Sequence, residues 1–230
     1  TSMLAEDLKP NRLEAAKDVA AEFINGRPND NIGITLFAGE TFTQCPLTVD
    51  HAVLLDMIHN IKCGLITDGT AVGMGIANAV TRLKDSKAKS KVIILLTDGT
   101  NNKGDISPMT AAEIAKSFGI RVYTIGVGTN GMAPYPYPVG NTVQYVSMPV
   151  EIDEKTLTEI AGTTDGNYFR ATSNSKLKEV YEEIDKLEKT KLNVKEYSKR
   201  DEEYHWFALA AFLCVLLEVL LRNSVLKKIP

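Results

Sequence analysis

The sequence predicts an α/β protein: a doubly wound, mostly parallel sheet with helices on both faces, followed by a C-terminal transmembrane helix. Three observations predict it. Segments of helical and of extended periodicity alternate from Leu13 to Lys191, which is the pattern of a chain that winds strand, helix, strand. The run Lys91-Val-Ile-Ile-Leu-Leu-Thr97 is apolar almost without a break, as a strand covered on both faces must be. Finally, Trp206 to Leu221 is apolar apart from Glu218, and its apolar residues run all round a helix rather than along one stripe, which favours lipid over a half-buried site.

Taken in order, Leu13, Ala16, Ala20 and Phe23 or Ile24 recur at helical spacing. Ile32–Phe37 and Thr41–Leu47 flank Ala38-Gly39 and read as an edge hairpin. Asp50 is placed to cap a helix through Ile61, and Ala71–Leu83 is a helix whose Gly73, Gly75 and Ala77 predict close packing against a neighbour. Beyond the buried strand come a helix over Thr110–Phe118, a strand over Arg121–Val127, a helix over Glu154–Ala161, a short strand at Tyr168–Phe169 and a helix from Ser175 to Lys191. Between Thr129 and Val150 the rhythm breaks. Pro134, Pro136, Pro138 and Pro149 are interleaved there with Tyr135, Tyr137 and Tyr145, which reads as a long proline-stiffened loop, and long ordered loops often carry function. It leaves the end of a strand, so Tyr135, Tyr137 and Tyr145 are candidate partner-binding residues.

Composition excludes more than it selects. The chain has 230 residues, 44% hydrophobic and 24% charged, with 26 basic against 29 acidic side chains and a formal net charge of −3. No basic excess points to nucleic acid. Cys45, Cys63 and Cys214 fit no zinc or redox spacing, and whether Cys45 and Cys63 pair is left open by sequence. Counted to Leu226, with Arg222 snorkelling, the apolar tail reaches the roughly 20 residues a bilayer requires. Tyr204 and Trp206 then fall in the interfacial aromatic belt. Glu218 lies one turn before Arg222, in position to pair with it or with a neighbouring helix.

The chemistry concentrates at strand ends. In open α/β sheets, ligands gather at the carboxyl edge, and the buried strand delivers Asp98, in Thr97-Asp98-Gly99, to that edge. A second rim element is Thr67-Asp68-Gly69-Thr70, where Thr70 taken alone is a plausible helix N-cap. Ser2-Met3 at the start completes a set of hydroxyl, hydroxyl and carboxylate. In this combination the sequence resembles the von Willebrand factor A (VWA) family, whose metal-ion-dependent adhesion site joins Asp-x-Ser-x-Ser to a distant Thr and a distant Asp. The resemblance implies that Ser2, Thr70 and Asp98 are metal ligands for Mg²⁺ or Mn²⁺. A small hard cation takes oxygen ligands and, with few protein charges around it, stays open to a partner's carboxylate. It also implies that the motif's first Asp and Ser, with the central strand that delivers them, lie upstream of Thr1.

Phe37–Thr48, Asp68–Gly73 and Gly126–Pro134 are similar to the BatA-type membrane VWA proteins of Bacteroidetes aerotolerance operons. That resemblance implies a non-catalytic, metal-dependent interaction module in a cell-envelope complex. Its expected partners are a protein offering an acidic residue to the metal, other Bat proteins and a MoxR-type AAA+ ATPase. The division expected is a VWA domain over 1–191, a juxtamembrane linker over 192–205, a transmembrane helix over 206–226 and a basic tail over 227–230. Two further hydrophobic segments are expected upstream, with the VWA domain periplasmic and the C-terminus cytoplasmic at the bacterial inner membrane. Two other readings compete: a structural VWA scaffold with a vacant metal site, and a hydrolase using Asp98. Against the hydrolase, His51, His59 and His205 fall away from the strand-end rim, and no nucleophile elbow or phosphate loop follows a strand.

Overall fold

The computed structural model describes residues 1–139 and 142–197 and, beyond them, the single positions Ala208, Leu209, Ala211, Phe212, Val215, Glu218 and Val219. After a 3₁₀ turn at Ser2–Leu4 come α1 (Arg12–Asn25), β1 (Ile32–Phe37), β2 (Thr41–Thr48), α2 (His51–His59), α3 (Val72–Leu83) and β3 (Lys91–Thr97). They are followed by α4 (Pro108–Ser117), β4 (Ile120–Val127), β5 (Met132–Val139), β6 (Thr142–Pro149), α5 (Glu154–Thr163), β7 (Tyr168–Ala171) and α6 (Asn174–Tyr197). Thr1–Glu188 forms one compact unit and Lys189–Pro230 a second.

Helix starts follow local chemistry. The side chains of Asn11, Asp50, Ser107 and Asp153 accept the amides of Glu14, Val53, Thr110 and Thr156, and Pro108 follows Ser107 at the first helical position, satisfying donors that would otherwise be orphaned. Thr70 is not the cap that its position alone would suggest: α3 begins at Val72 with Ala71 as cap residue and no side-chain cap. The backbone of Thr70 is instead held by Asn102, on the loop after β3.

The parallel sheet runs β3-β4-β7, and β1-β2 forms a separate antiparallel hairpin. Ile93 and Leu95 on one face of β3 pack with Val72, Ile76 and Val80 of α3. Val92, Ile94 and Leu96 on the other face pack with Ala15 and Val19 of α1. Both helices also reach β1: Leu13, Ala20 and Ile24 of α1 share a cluster with Ile34 and Leu36, and Gly75 of α3 lies against the Phe37 ring. Two helices therefore bridge β1 and β3 from opposite faces, yet no backbone hydrogen bond joins those strands among the described residues. The small residues of α3 do what their spacing predicts. A β-carbon on Gly73 would stand 2.1 Å from the Ile106 carbonyl oxygen, so only glycine admits that close approach.

The segment expected as a proline-stiffened loop is a second hairpin, β5-β6, paired from Met132↔Pro149 to Val139↔Thr142. The prolines are compatible with a strand because they recur with period two. The Pro134 carbonyl accepts the Glu6 amide at 2.9 Å, away from β6. The backbone of Pro134, Pro136 and Pro138 therefore faces outward, and their missing N–H groups cost the ladder nothing.

Cys45 and Cys63 are free thiols, with Cys45 buried among Leu54, Ile58 and Ile61. At the opposite end of the parallel sheet, α6 is clasped by Glu188. Its carboxylate accepts from Tyr123 Oη at 2.7 Å, from Ser90 Oγ at 2.9 Å and from the Arg121 guanidinium. The transmembrane helix expected at 206–226 lies outside the described residues except for the seven single positions, and among the described residues no helix is long and apolar enough to cross a membrane.

Candidate metal centre

Register puts the rim in place. Thr97 pairs with Gly126 and Gly126 with Arg170, so β3, β4 and β7 all end at one carboxyl edge and deliver their succeeding residues to it. Asp98 comes directly after β3 there, and Ser2 Oγ donates to its Oδ1 at 2.8 Å. Asp98 stands at the rim that its strand-end position predicts, but it is covered there. It is 7% exposed because the Arg12 guanidinium covers it, with Nη1 donating to Oδ2 at 3.0 Å.

Thr70 arrives by a different route. Its amide donates to Asn102 Oδ1 at 2.9 Å and its carbonyl accepts the Asn102 amide at 2.9 Å, locking it to the loop after β3. The turn between β1 and β2 supports the same loop, through the Gly39 amide to the Thr67 carbonyl at 2.8 Å and the Ala71 amide to the Ala38 carbonyl at 2.7 Å. A side chain at Gly99 would begin 3.5 Å from Thr70 Oγ1, so this hydroxyl lies against the Asp98–Gly99 turn. Ser2 and Asp98 are thus in direct contact, with Thr70 on the adjoining loop.

Two residues packed against the rim are not evident as such from sequence: Asp7 and Arg12. Nε and Nη2 of Arg12 donate to the two oxygens of Asp7 at 2.8 and 2.7 Å, a bidentate fork. The Thr129 amide adds a third donor to Asp7 at 2.8 Å. Burial pushes the Asp7 carboxyl up, but the Arg12 fork and the Thr129 donors outweigh it and hold it at about 2. Its folded-state value is depressed, so its stabilisation is complete above the ordinary carboxylate range and is lost as pH falls from about 5 to about 2. From the size of the shift this amounts to about 2 kcal/mol. Unfolding of the protein and of Asp7→Asn, compared at pH 6 and pH 2.5, should show a stability gap that closes by that amount in acid. A gap independent of pH would refute the assignment.

The three candidate tyrosines do not share one face. Tyr135 and Tyr137 pair with Val146 and Gln144, whereas Tyr145 pairs with Pro136 on the other side of the hairpin. Tyr137 and Tyr145 are 58% and 60% exposed, and Tyr145 Oη donates to Glu6 Oε1 at 3.1 Å, which pushes the phenol up.

Two hydroxyls and one carboxylate are oxygen donors of the kind that a hard divalent cation takes while keeping several waters. Among the described residues no group of three or more His, Cys, Asp or Glu side chains is placed to hold a metal ion, so a cation here would depend on the hydroxyls as well. The arrangement offers little to an acyl-transfer or hydrolytic mechanism: Ser2 meets a carboxylate already neutralised by Arg12, and the two described histidines lie on α2.

The chain is similar to several known proteins. A solved structure of the conserved hypothetical protein BatB from Bacteroides thetaiotaomicron is 35% identical with a TM-score of 0.71, covering 82% of this chain and 94% of its own. An aerotolerance-related membrane protein from Bacteroides fragilis, solved with multiple mutations to serines, is 31% identical with a TM-score of 0.70, covering 80% and 92%. Among curated relatives, a UPF0353 protein from Nocardia farcinica is 32% identical over 202 residues, which is 80% of this chain and 59% of that protein. The chain thus spans less than two thirds of the length of the curated relatives it matches, 64% and 57% for two others. Residues 1–183 match the von Willebrand factor type A domain. The chain belongs to that family and, within it, is similar to the Bat-type aerotolerance-related membrane proteins.

Proposed function

We propose that this domain is a non-catalytic, metal-dependent protein-interaction module. Ser2, Thr70 and Asp98 would hold Mg²⁺ or Mn²⁺, and an acidic residue of a partner protein would complete the coordination. The observation that carries this reading is the contact of Ser2 Oγ with Asp98 Oδ1 at 2.8 Å, beside the Thr70 loop, at the carboxyl edge of a parallel sheet. When bound, the cation supplies a positive centre for a partner carboxylate. The chain's own residues orient the donors and neutralise the second Asp98 oxygen. Because α1 and α3 pack on both β1 and β3 from opposite faces, one further parallel strand between those two would bring the Asp and Ser of the adhesion motif beside Ser2.

The similarity to aerotolerance-related membrane proteins supports a place in a cell-envelope assembly at the bacterial inner membrane, beside other Bat proteins and a MoxR-type ATPase. A transmembrane helix over 206–226 would anchor it, with the domain periplasmic and the C-terminus cytoplasmic. The described positions in that stretch are helical, and Leu209, Phe212, Val215 and Val219 are exposed apolar side chains of the kind lipid would cover. Partner capture by the membrane-inserted protein should be lost on chelation and restored by Mn²⁺. Capture that survives chelation would favour a scaffold with a vacant metal site. The β5-β6 hairpin would contribute contact area next to the cation. Replacing Tyr135 and Tyr137 together by alanine should weaken capture about ten-fold or more, as loss of aromatic anchors does, with little change in thermal midpoint. A lowered midpoint with unchanged capture would mean that the tyrosines only shield the domain.

A further inference from the structure

We propose that Arg12 couples the cation at the rim to the root of the β5-β6 hairpin, making metal occupancy and hairpin docking one linked equilibrium. The inference rests on the proposed metal site and adds a regulatory consequence to it.

The geometry is that of a hub. The Arg12 side chain is 4% exposed and each nitrogen of its guanidinium donates to a carboxylate, one to Asp98 and two to Asp7. Asp7 passes the contact on, with Oδ2 accepting the Thr129 amide at 2.8 Å and the Thr129 hydroxyl at 3.2 Å. Thr129 is the second residue after β4 and stands at the foot of the hairpin. Its carbonyl is gripped from the other side by Arg170 Nη2 at 3.0 Å. The backbone is shaped to let this bridge pass: a β-carbon on Gly128 would come within 2.7 Å of Arg12 Nη2, and Gly128 has φ +138°, a conformation that favours glycine. The segment carrying Ser2 ties to the same hairpin higher up, through the Glu6 amide to the Pro134 carbonyl at 2.9 Å and Tyr145 Oη to Glu6 Oε1 at 3.1 Å.

With a cation held by Ser2, Thr70 and Asp98, Arg12 would lose part of its hold on the Asp98 carboxylate. Arg12 would then lean more fully on Asp7 and fix that carboxylate in place, so the acceptor of the Thr129 amide would be held in position. Because coupling between two sites is reciprocal, a partner that docks on the hairpin and fixes Thr129 raises cation affinity by the same factor. The cation and the partner would thus be sensed together through a charge chain buried beneath the surface.

The test is hydrogen exchange at the Thr129 amide in the full chain, with and without saturating Mn²⁺, alongside a calorimetric Mn²⁺ titration. Mn²⁺ should slow exchange at Thr129 about five-fold or more, the lower end of ordinary coupling energies. In Asp7→Asn, Mn²⁺ should still bind while exchange no longer responds to it. Mn²⁺ binding to the wild-type protein with unchanged or faster exchange at Thr129 overturns the coupling and leaves the metal site standing, as does a full response in Asp7→Asn. No Mn²⁺ binding at all overturns both. If Asp7→Asn does not fold, the wild-type comparison decides alone.

Discussion

Substituting Asp98→Ala is expected to abolish cation-dependent capture of the partner, a loss of roughly 100-fold or more. Disturbing residues that only orient ligands already costs about 10- to 100-fold in metal affinity, and Asp98 supplies the charge among the three proposed donors. The fold should survive. Arg12 keeps its bidentate pair with Asp7 at 2.7 and 2.8 Å after Asp98 is gone, so no wholly unpaired charge is left buried. The stability cost is about 1–3 kcal/mol, that of one lost charge-assisted hydrogen bond in a buried setting. Capture and thermal midpoint should therefore separate: the first collapses, the second drops by a few degrees. A collapse of both together would mean that Asp98 is a structural ion-pair partner and nothing more.

The largest effect on stability is expected at the opposite end of the sheet. Glu188 is 4% exposed, and burial alone would push its carboxyl up, but Tyr123, Ser90 and Arg121 together hold it below the ordinary value. Glu188→Ala leaves the Arg121 guanidinium and the fully buried Tyr123 hydroxyl without that acceptor, and breaking such a buried pair costs about 3–5 kcal/mol. For a domain of this size that lowers the thermal midpoint by about 6 °C or more. Glu188→Gln, which keeps the shape and an acceptor oxygen, should lose distinctly less. A Glu188→Gln variant as stable as the wild-type protein would show that packing, and not the charge clasp, fixes α6.

Much of the fold is legible in sequence because it rests on local signals. The apolar run at Lys91–Thr97, the cap residue Asp50 and the small residues of α3 each act within one element, and the structure places them as their chemistry requires. The rim position of Asp98 also comes from a strand end. The features hidden from sequence depend on side chains meeting across long separations. Arg12 and Asp7 look like ordinary charges near a helix start, and nothing local marks a guanidinium that will cross beneath Gly128 to reach a residue 86 positions away. A basic residue just before the apolar positions of α1, with a glycine at the end of β4, is the only sequence hint of it. The proline-rich hairpin is hidden for a different reason. Proline lowers strand propensity residue by residue, whereas period two places every missing donor on an edge that has no ladder to lose. Thr70 reads as a cap because a threonine ahead of a helix often is one, but the side-chain amide of Asn102, thirty-two residues on, claims its backbone instead.

The central claim is that Ser2, Thr70 and Asp98 hold one cation. Calorimetric titration of Mn²⁺ into the full chain, and into Ser2→Ala, Thr70→Ala and Asp98→Ala, tests it most directly. A single site is expected, weakened about ten-fold or more by each hydroxyl replacement and most of all by Asp98→Ala, since a carboxylate is the strongest of the donors for a hard ion. Mn²⁺ affinity unchanged in all three variants would contradict the account.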